Sequence, residues 1–162
     1  MIYRIRVILD VEEDVLRDIE IDSTSTLEDL HNTITRSFGF LGNEMASFYE
    51  SDENWVQGNE LPLESLDIGV NKKDEILNKV LNFSNPNLIY VYDFLNLWTF
   101  FVELKEEADI VSGTIYPNLI HSQGDVPEEA PFKMFEAEDG ENNSNNDIDQ
   151  NEDIDDDGYS FY

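Results

Sequence analysis

Apolar and polar residues alternate at the start of the chain. In residues 2–9 every second side chain is apolar and falls on one face of an extended chain: Tyr3, Ile5, Val7 and Leu9. Residues 10–14 are mainly acidic and predict a turn, and alternation resumes over 15–22. A period of two on both sides of a turn predicts a β-hairpin.

A helical period follows this hairpin. Apolar side chains recur three and four residues apart, at Leu27, Leu30, Ile34 and Phe38. Ser25 and Glu28 have the spacing of a capping box, in which each side chain bonds a free amide at the helix start. Gly39 stands where a C-terminal cap belongs. The pattern therefore predicts a helix that ends at Gly39.

The middle of the chain is broken into short apolar pieces. Two short strands are predicted at 45–50 and 55–57, and a short helix at 71–81. Residues 61–63 and 66–69 are apolar but follow neither period, so we expect irregular packing segments there.

A second hairpin is predicted over residues 87–104, with 93–96 as its turn. Its second strand places Trp98 and Phe100 on one face and Phe101 on the other. Either both faces of this strand are buried, or one face presents an exposed aromatic patch to a partner.

The order of these elements predicts an α+β fold, with a helix packed across a mixed β-sheet. Over the N-terminal half, hairpin, helix and further strands follow the order of a β-grasp, the ubiquitin-like arrangement. A fold-level likeness of this kind says nothing about chemistry.

Charge limits the possible partners. The 162-residue chain carries 37 Asp and Glu against 9 Lys and Arg, a formal charge of −28. Binding to nucleic acid needs a basic surface, and anionic membranes repel such a chain, so we expect neither as a direct partner. The N-terminus has no apolar signal core, and no run of eighteen apolar residues occurs, which predicts a cytoplasmic protein.

The acidic residues also divide the chain. Residues 136–162 hold 11 of the 37 acidic residues and no Lys or Arg, which leaves 26 acidic and 9 basic residues, a charge of −17, in residues 1–135. Low hydrophobicity with high like charge does not offset the entropy of ordering. We therefore expect a single domain over 1–135 and a disordered acidic tail over 136–162.

Within that tail, Asp153, Asp155 and Asp157 precede Gly158 in the spacing of the first half of a calcium loop. The closing bidentate Glu of such a loop has no counterpart. Specific calcium binding at these aspartates therefore competes with diffuse cation condensation, and no cofactor is predicted.

Motifs in the second half resemble those of the plasmid pRiA4b ORF-3-like family. The likeness rests on Tyr90-x-Tyr92-Asp93-Phe94-x-x-x-Trp98, then on Tyr116-Pro117 and Pro127-Glu128-Glu129, and it spans about residues 1–135. Some members of this largely uncharacterised family travel on mobile elements. The resemblance therefore implies a fold more than a function.

The chain departs from the family pattern where that pattern carries charge. Leu95 and Asn96 stand in place of Gly-Asp, Phe100 in place of a His, and Met45 to Ser47 in place of a His-x-His pair. Ala130-Pro131 replaces a Gly-Gly. The resemblance thus implies a divergent branch that has kept the scaffold and lost any metal-capable pocket built from those histidines.

Catalytic constellations are scarce. The chain has no cysteine, which excludes disulfides, thiolate zinc sites and cysteine nucleophiles. Of the two histidines, His31 lies on the predicted helix, where a structural role is expected. His121 is expected in a loop after Tyr116-Pro117, with no local group to orient it as a general base. Asp93 either bonds its own turn or lies at a partner-binding edge.

Three functional hypotheses remain. We favour a non-enzymatic module that binds a protein partner of basic character, through the acidic tail or through a body surface that includes Tyr90, Tyr92, Asp93, Trp98 and Phe101. One alternative is a nucleic-acid mimic that occupies the basic cleft of a DNA-binding protein. The other is a divergent enzyme that uses Asp93 with the acids near Pro127. The oligomeric state stays open.

Overall fold

Seven strands form one antiparallel sheet. The structure is a computed structural model that describes residues 1–65 and 69–133. The elements in chain order are β1 (Ile2–Leu9), β2 (Leu16–Asp22), α1 (Leu27–Phe38), β3 (Ala46–Ser51), β4 (Gln57–Pro62), α2 (Leu77–Val80), β5 (Asn87–Tyr92), β6 (Trp98–Ala108) and β7 (Asn118–Gln123). The strands lie side by side in the order β4-β3-β5-β6-β1-β2-β7.

Both predicted hairpins are present. β1 pairs with β2 from Ile2 opposite Asp22 to Ile8 opposite Leu16. β5 pairs with β6 from Asn87 opposite Glu103 to Tyr92 opposite Trp98. Period-two alternation around an acidic turn located the first pair, and an apolar strand followed by an alternating strand located the second.

The helix ends as predicted, but it begins one residue later than the predicted cap. Thr26 accepts a hydrogen bond from the Asp29 amide at 3.1 Å, and the Asp29 carboxylate accepts one from the Thr26 amide at 2.9 Å. Ser25 serves a different contact, since its carbonyl accepts from the Leu77 amide at 2.7 Å. Gly39 closes the helix in the left-handed region, at φ 85°.

One face of the sheet and the helices enclose the core. A row of side chains runs across four neighbouring strands in register, at Leu61, Phe48, Tyr90 and Phe100. The apolar stripe of α1 is buried in the same cluster, and so is Leu77 of α2. The amphipathic pattern of α1 thus faces this side of the sheet.

The predicted α+β fold with a mixed sheet and a β-grasp order was wrong. The described chain is mainly β, because α1 has 12 residues and α2 has 4. A β-grasp would set the first strand beside a parallel neighbour, whereas β1 lies between β2 and β6 and is antiparallel to both. Periodicity identifies strands but does not reveal which distant strands pair.

Three smaller predictions also need correction. The strand expected at 55–57 begins only at Gln57 and continues to Pro62, while Trp55 lies in the preceding turn at φ 63°. The helix expected at 71–81 is only Leu77–Val80. His121 lies in strand β7 and not in a loop.

Several predictions fall outside the described residues. These are the packing segment at 66–68, the acidic tail from 136 and the calcium loop at Asp153, Asp155 and Asp157. Residues Met1–Ala130 form one structural unit, and Pro131 begins a second. Among the described residues, neither helix has the length and apolar character that a membrane span requires.

Candidate functional site

The sheet face opposite the helices carries a continuous row of side chains, which we call the open-face row. It crosses all seven strands in register and consists of Glu60, Tyr49, Ile89, Phe101, Ile8, Leu16 and Gln123. The five central side chains are apolar. Ile89 is buried, and the other four are half-buried. Neither helix covers this face, because the buried side chains of both helices belong to the core on the other side.

Trp55 lies over part of this row. Its ring centroid is 5.1 Å from that of Phe101, with the ring planes inclined by 57°. The positive φ of Trp55 turns the β3–β4 connection back on itself. Asp52 fixes this turn by accepting hydrogen bonds from the Asn54 and Val56 amides at 2.8 and 2.9 Å.

Ion pairs border the row along β1 and β2. Arg6 makes a bidentate contact with Asp18, at 2.8 and 2.9 Å, and its hydrogen bonds lower the pKa of Asp18. Arg4 bridges Glu20 at 2.7 Å and Glu106 at 2.6 Å. Side chains held in this way keep a fixed arrangement at the edge of the apolar row.

The five predicted partner-binding residues do not form one surface. Tyr90, Tyr92 and Trp98 are buried in the core, at no more than 7% exposure. Phe101 lies on the open face, half-buried under Trp55. Alternation along each strand separates the two groups, since Phe101 points away from the neighbouring Phe100.

The Asp93 carboxylate accepts hydrogen bonds from its own turn. Asp93 has a φ of 67°, and its carboxylate accepts hydrogen bonds from the Leu95 amide at 3.2 Å and from the Asn96 side chain at 2.7 Å. The turn-bonding interpretation therefore describes its contacts. Asn96, a departure from the family pattern, supplies one of them.

A polar cluster lies beneath the 39–45 loop on the core side of the sheet. His31 Nδ1 and the Tyr90 hydroxyl form a short hydrogen bond of 2.5 Å. The Tyr92 hydroxyl accepts hydrogen bonds from the Gly42 and Asn43 amides, at 2.9 and 3.1 Å. These contacts join α1, β5 and the loop.

Burial shifts the titration of this cluster. It lowers the pKa of His31 below its usual 6.5, against weaker opposing contributions from Glu28, the Gly42 backbone and Glu64. Burial also raises the pKa of Tyr90 well above its usual value. Both side chains are therefore neutral at physiological pH. A single proton lies between His31 Nδ1 and the Tyr90 hydroxyl oxygen.

A small cavity of about 130 Å³ opens beside this pair. Its wall includes His31 together with the side chains of Glu28, Glu44, Glu64 and Lys73. No hydroxyl or thiol nucleophile lines it, and the described ranges contain no group of three His, Asp or Glu placed to hold a metal. The hydrogen bonds of the nearby Tyr92 hydroxyl to Gly42 and Asn43 hold the loop against the sheet.

His121 is exposed on β7, opposite Asp18. No hydrogen bond in the described residues orients its ring as a general base would require.

Sequence reasoning missed most of the open face. Trp55 was assigned to a strand, and Tyr49, Ile8 and Leu16 were not connected to Phe101. The signal was present as apolar residues on the second face of each strand, but only the strand order and register align them.

Comparisons with known proteins agree with this architecture. A crystal structure of a protein of unknown function, MM3350 from Methanosarcina mazei Go1, superposes with a TM-score of 0.68 at 22% sequence identity. The match covers 78% of this chain and 72% of that one, and it shows a shared fold alone. No curated protein matches. The family model described as plasmid pRiA4b ORF-3-like protein matches residues 1–135. The chain therefore belongs to the plasmid pRiA4b ORF-3-like family.

Proposed function

We propose that this protein is a non-enzymatic interaction module whose open sheet face binds a protein partner. The observation that carries the proposal is the open-face row. Five apolar side chains lie in register on a face that neither helix covers. Apolar surface of this kind, rimmed by polar groups, is typical of protein-binding sites.

The composition of the face supports a protein ligand. Trp55 and Tyr49 are of residue types that most often dominate binding energy at protein interfaces, and Phe101 is of a type enriched there. The Arg6–Asp18 and Arg4–Glu20 pairs form a polar rim beside them. Fixed ion pairs at a rim contribute more to orientation and partner choice than to affinity.

We further propose that the partner is basic. Residues 37–71 contain no Lys or Arg, and the β3–β4 hairpin contributes Glu50, Asp52, Glu53 and Glu60. Beside the Trp55 turn, a separate cleft of about 430 Å³ has Glu50, Asp52 and Gln57 in its wall. Val80 of α2 and the core residue Leu88 also line it, so this cleft lies on the helix side of the sheet, next to the open face and not on it. A lysine or arginine side chain fits the charge of this cleft.

The nucleic-acid mimic gains no such support. On the open face, Asp18 is paired with Arg6, and Glu20 and Glu106 share Arg4, so these three carboxylates do not form an uncompensated row.

Site-specific photocrosslinking in native lysate tests the proposal. A benzophenone amino acid replaces Phe101 in one full-length variant and Leu95 in another. Leu95 is 94% exposed in the β5–β6 turn, away from the open-face row, and so provides a matched control. We expect one defined protein to crosslink through position 101 and not through position 95.

A second variant measures the contribution of the ring. Phe101→Thr keeps a strand-forming residue and removes the aromatic contact with Trp55. We expect its affinity for the crosslinked partner to fall at least about tenfold, the usual effect of losing a central aromatic anchor. If Phe101→Thr bound the partner as tightly as the wild type, the open face would not be the binding surface. Equal crosslinking through positions 101 and 95 would lead to the same conclusion.

A further inference from the structure

The free outer edge of β7 differs in chemistry from the rest of the protein. β7 is the last strand in the sheet order, and no described strand pairs with its outer side. Of its six residues, five are exposed. An unpaired edge strand presents a row of free amides and carbonyls that can accept another strand.

This edge lies in a long uncharged stretch. Residues 110–124 contain no Asp, Glu, Lys or Arg, although 28% of the whole chain is charged. We call residues 110–124 the neutral edge. Its exposed aliphatic side chains are Ile110, Val111, Ile115, Leu119 and Ile120, with exposures between 46% and 83%.

Several devices that normally protect an edge are missing here. β7 contains neither Lys nor Pro, and no inward-pointing charge. Two such features are present, Pro117 directly before the strand and a bulge in the pairing with β2 between Asp18 and Ile19.

We propose that the neutral edge is a homodimer interface, in which β7 pairs with the β7 strand of a second copy. A strand that pairs antiparallel with itself about a two-fold axis makes an isologous contact, so one surface serves both subunits. The two sheets then join into one.

Charge selects a second copy as the occupant. Two molecules of charge −28 repel each other across most of their surfaces. The neutral edge brings no like charges together, and its aliphatic side chains meet the same aliphatic side chains of the partner. A basic protein, in contrast, gains nothing from an uncharged edge and is attracted to the acidic surfaces.

Sedimentation equilibrium of the full-length protein, from micromolar to millimolar concentration, tests this inference. We expect a monomer–dimer equilibrium whose dissociation constant falls as salt is raised towards about 0.5 M, because salt screens the repulsion of the remaining charges. A dimer held by acid–base contacts would respond to salt in the opposite direction.

Two charge-matched variants locate the interface. Ile120→Glu adds a negative charge to each of the two paired strands, whereas Leu95→Glu adds the same charge at an exposed turn. We expect Ile120→Glu to weaken dimerisation by roughly tenfold to a hundredfold and Leu95→Glu to leave it nearly unchanged. Leu119→Thr, which keeps a strand-forming residue, should weaken it in the same direction and guards against misfolding of the glutamate variant.

Hydrogen exchange gives an independent measurement. Amides of β7 should exchange more slowly at high than at low protein concentration, and those of the opposite edge strand β4 should not. A protein that stays monomeric at all concentrations and salts overturns the proposal. A dimer whose dissociation constant is unchanged in Ile120→Glu and in Leu119→Thr also overturns the proposal.

Discussion

Arg17 of β2 joins the C-terminal turn of α1 to strand β7 through hydrogen bonds to backbone carbonyls. Its guanidinium group donates hydrogen bonds from Nε to the Ser37 carbonyl at 2.9 Å, and from Nη1 to the Leu16, Gln123 and Gly124 carbonyls at 2.8 to 3.1 Å. It also lies 4.8 Å from the centre of the Phe38 ring. Arg17 is 9% exposed, and no carboxylate of the described residues forms an ion pair with it.

Replacing Arg17 by Met tests this role, because Met keeps a stem of similar length and removes every donor. The Gln123 and Gly124 carbonyls belong to exposed residues, where water can replace the lost donor, whereas those of Leu16 and Ser37 belong to half-buried residues. The loss of a charged donor at the Leu16 and Ser37 carbonyls, at about 1.5–2 kcal/mol each, lowers the free energy of unfolding by about 3–4 kcal/mol. The contact with Phe38 changes little, since a thioether also packs well on an aromatic ring.

Urea unfolding, followed by tryptophan fluorescence, measures the loss. We expect Arg17→Met to lower the free energy of unfolding by about 3 kcal/mol with an unchanged m-value, and Arg17→Lys to fall between it and the wild type. Arg36→Met, at an exposed position of the same helix, should change it by less than about 0.5 kcal/mol. If Arg17→Met lost less than about 1 kcal/mol, the reasoning about these carbonyls would be refuted.

Four further perturbations test other contacts. Gly124→Ala should cost more than about 2 kcal/mol, because an added Cβ lies 2.2 Å from the Asp14 carbonyl oxygen, whereas Gly113→Ala, with a similar positive φ and open space, should cost only about 1 kcal/mol by chemical denaturation. Tyr92→Phe leaves two loop amides without an acceptor and should cost about 1–2 kcal/mol, with faster hydrogen exchange at Gly42. Thr26→Ala removes the helix cap and should lower stability by about 1 kcal/mol; an unchanged unfolding midpoint would contradict the observed cap. Because the pKa of His31 is lowered in the folded protein, this histidine takes up a proton more readily in the unfolded chain as pH falls below 6.5. Stability should therefore fall with pH in the wild type and less in His31→Gln, as compared by thermal melting at several pH values.

The local structure could be predicted where one signal dominates. The hairpin of β1 and β2 follows from alternation and an acidic turn. That of β5 and β6 follows from an apolar run and the alternation of β6, and α1 follows from its apolar stripe and Gly39. The predicted cap was one residue too early, because Ser25 and Thr26 both have an acidic residue three positions later and the sequence alone does not distinguish them. In the structure Thr26 caps the helix, and the Ser25 carbonyl accepts a hydrogen bond from the Leu77 amide.

The sheet order could not be predicted from the sequence. The candidate site could not be predicted either, because it depends on that order. β1 meets β6 only through pairing between residues about a hundred positions apart, such as Arg4 and Glu106. Edge strands β4 and β7 carry few apolar residues because little of either is buried, so they lack the period that identifies β1. The open-face row exists only once these pairings align Tyr49 with Phe101 and Ile8.

The position of β1 inside the sheet also governs how the chain can fold. Its first partner, β2, is available at once, but its second partner, β6, ends only at Ala108. A chain emerging from the ribosome therefore carries β1 with one unpaired edge until most of the domain has been synthesised. Such long-range pairing has a high contact order and predicts slow folding, with the nascent β1 edge as the segment most in need of protection by chaperones.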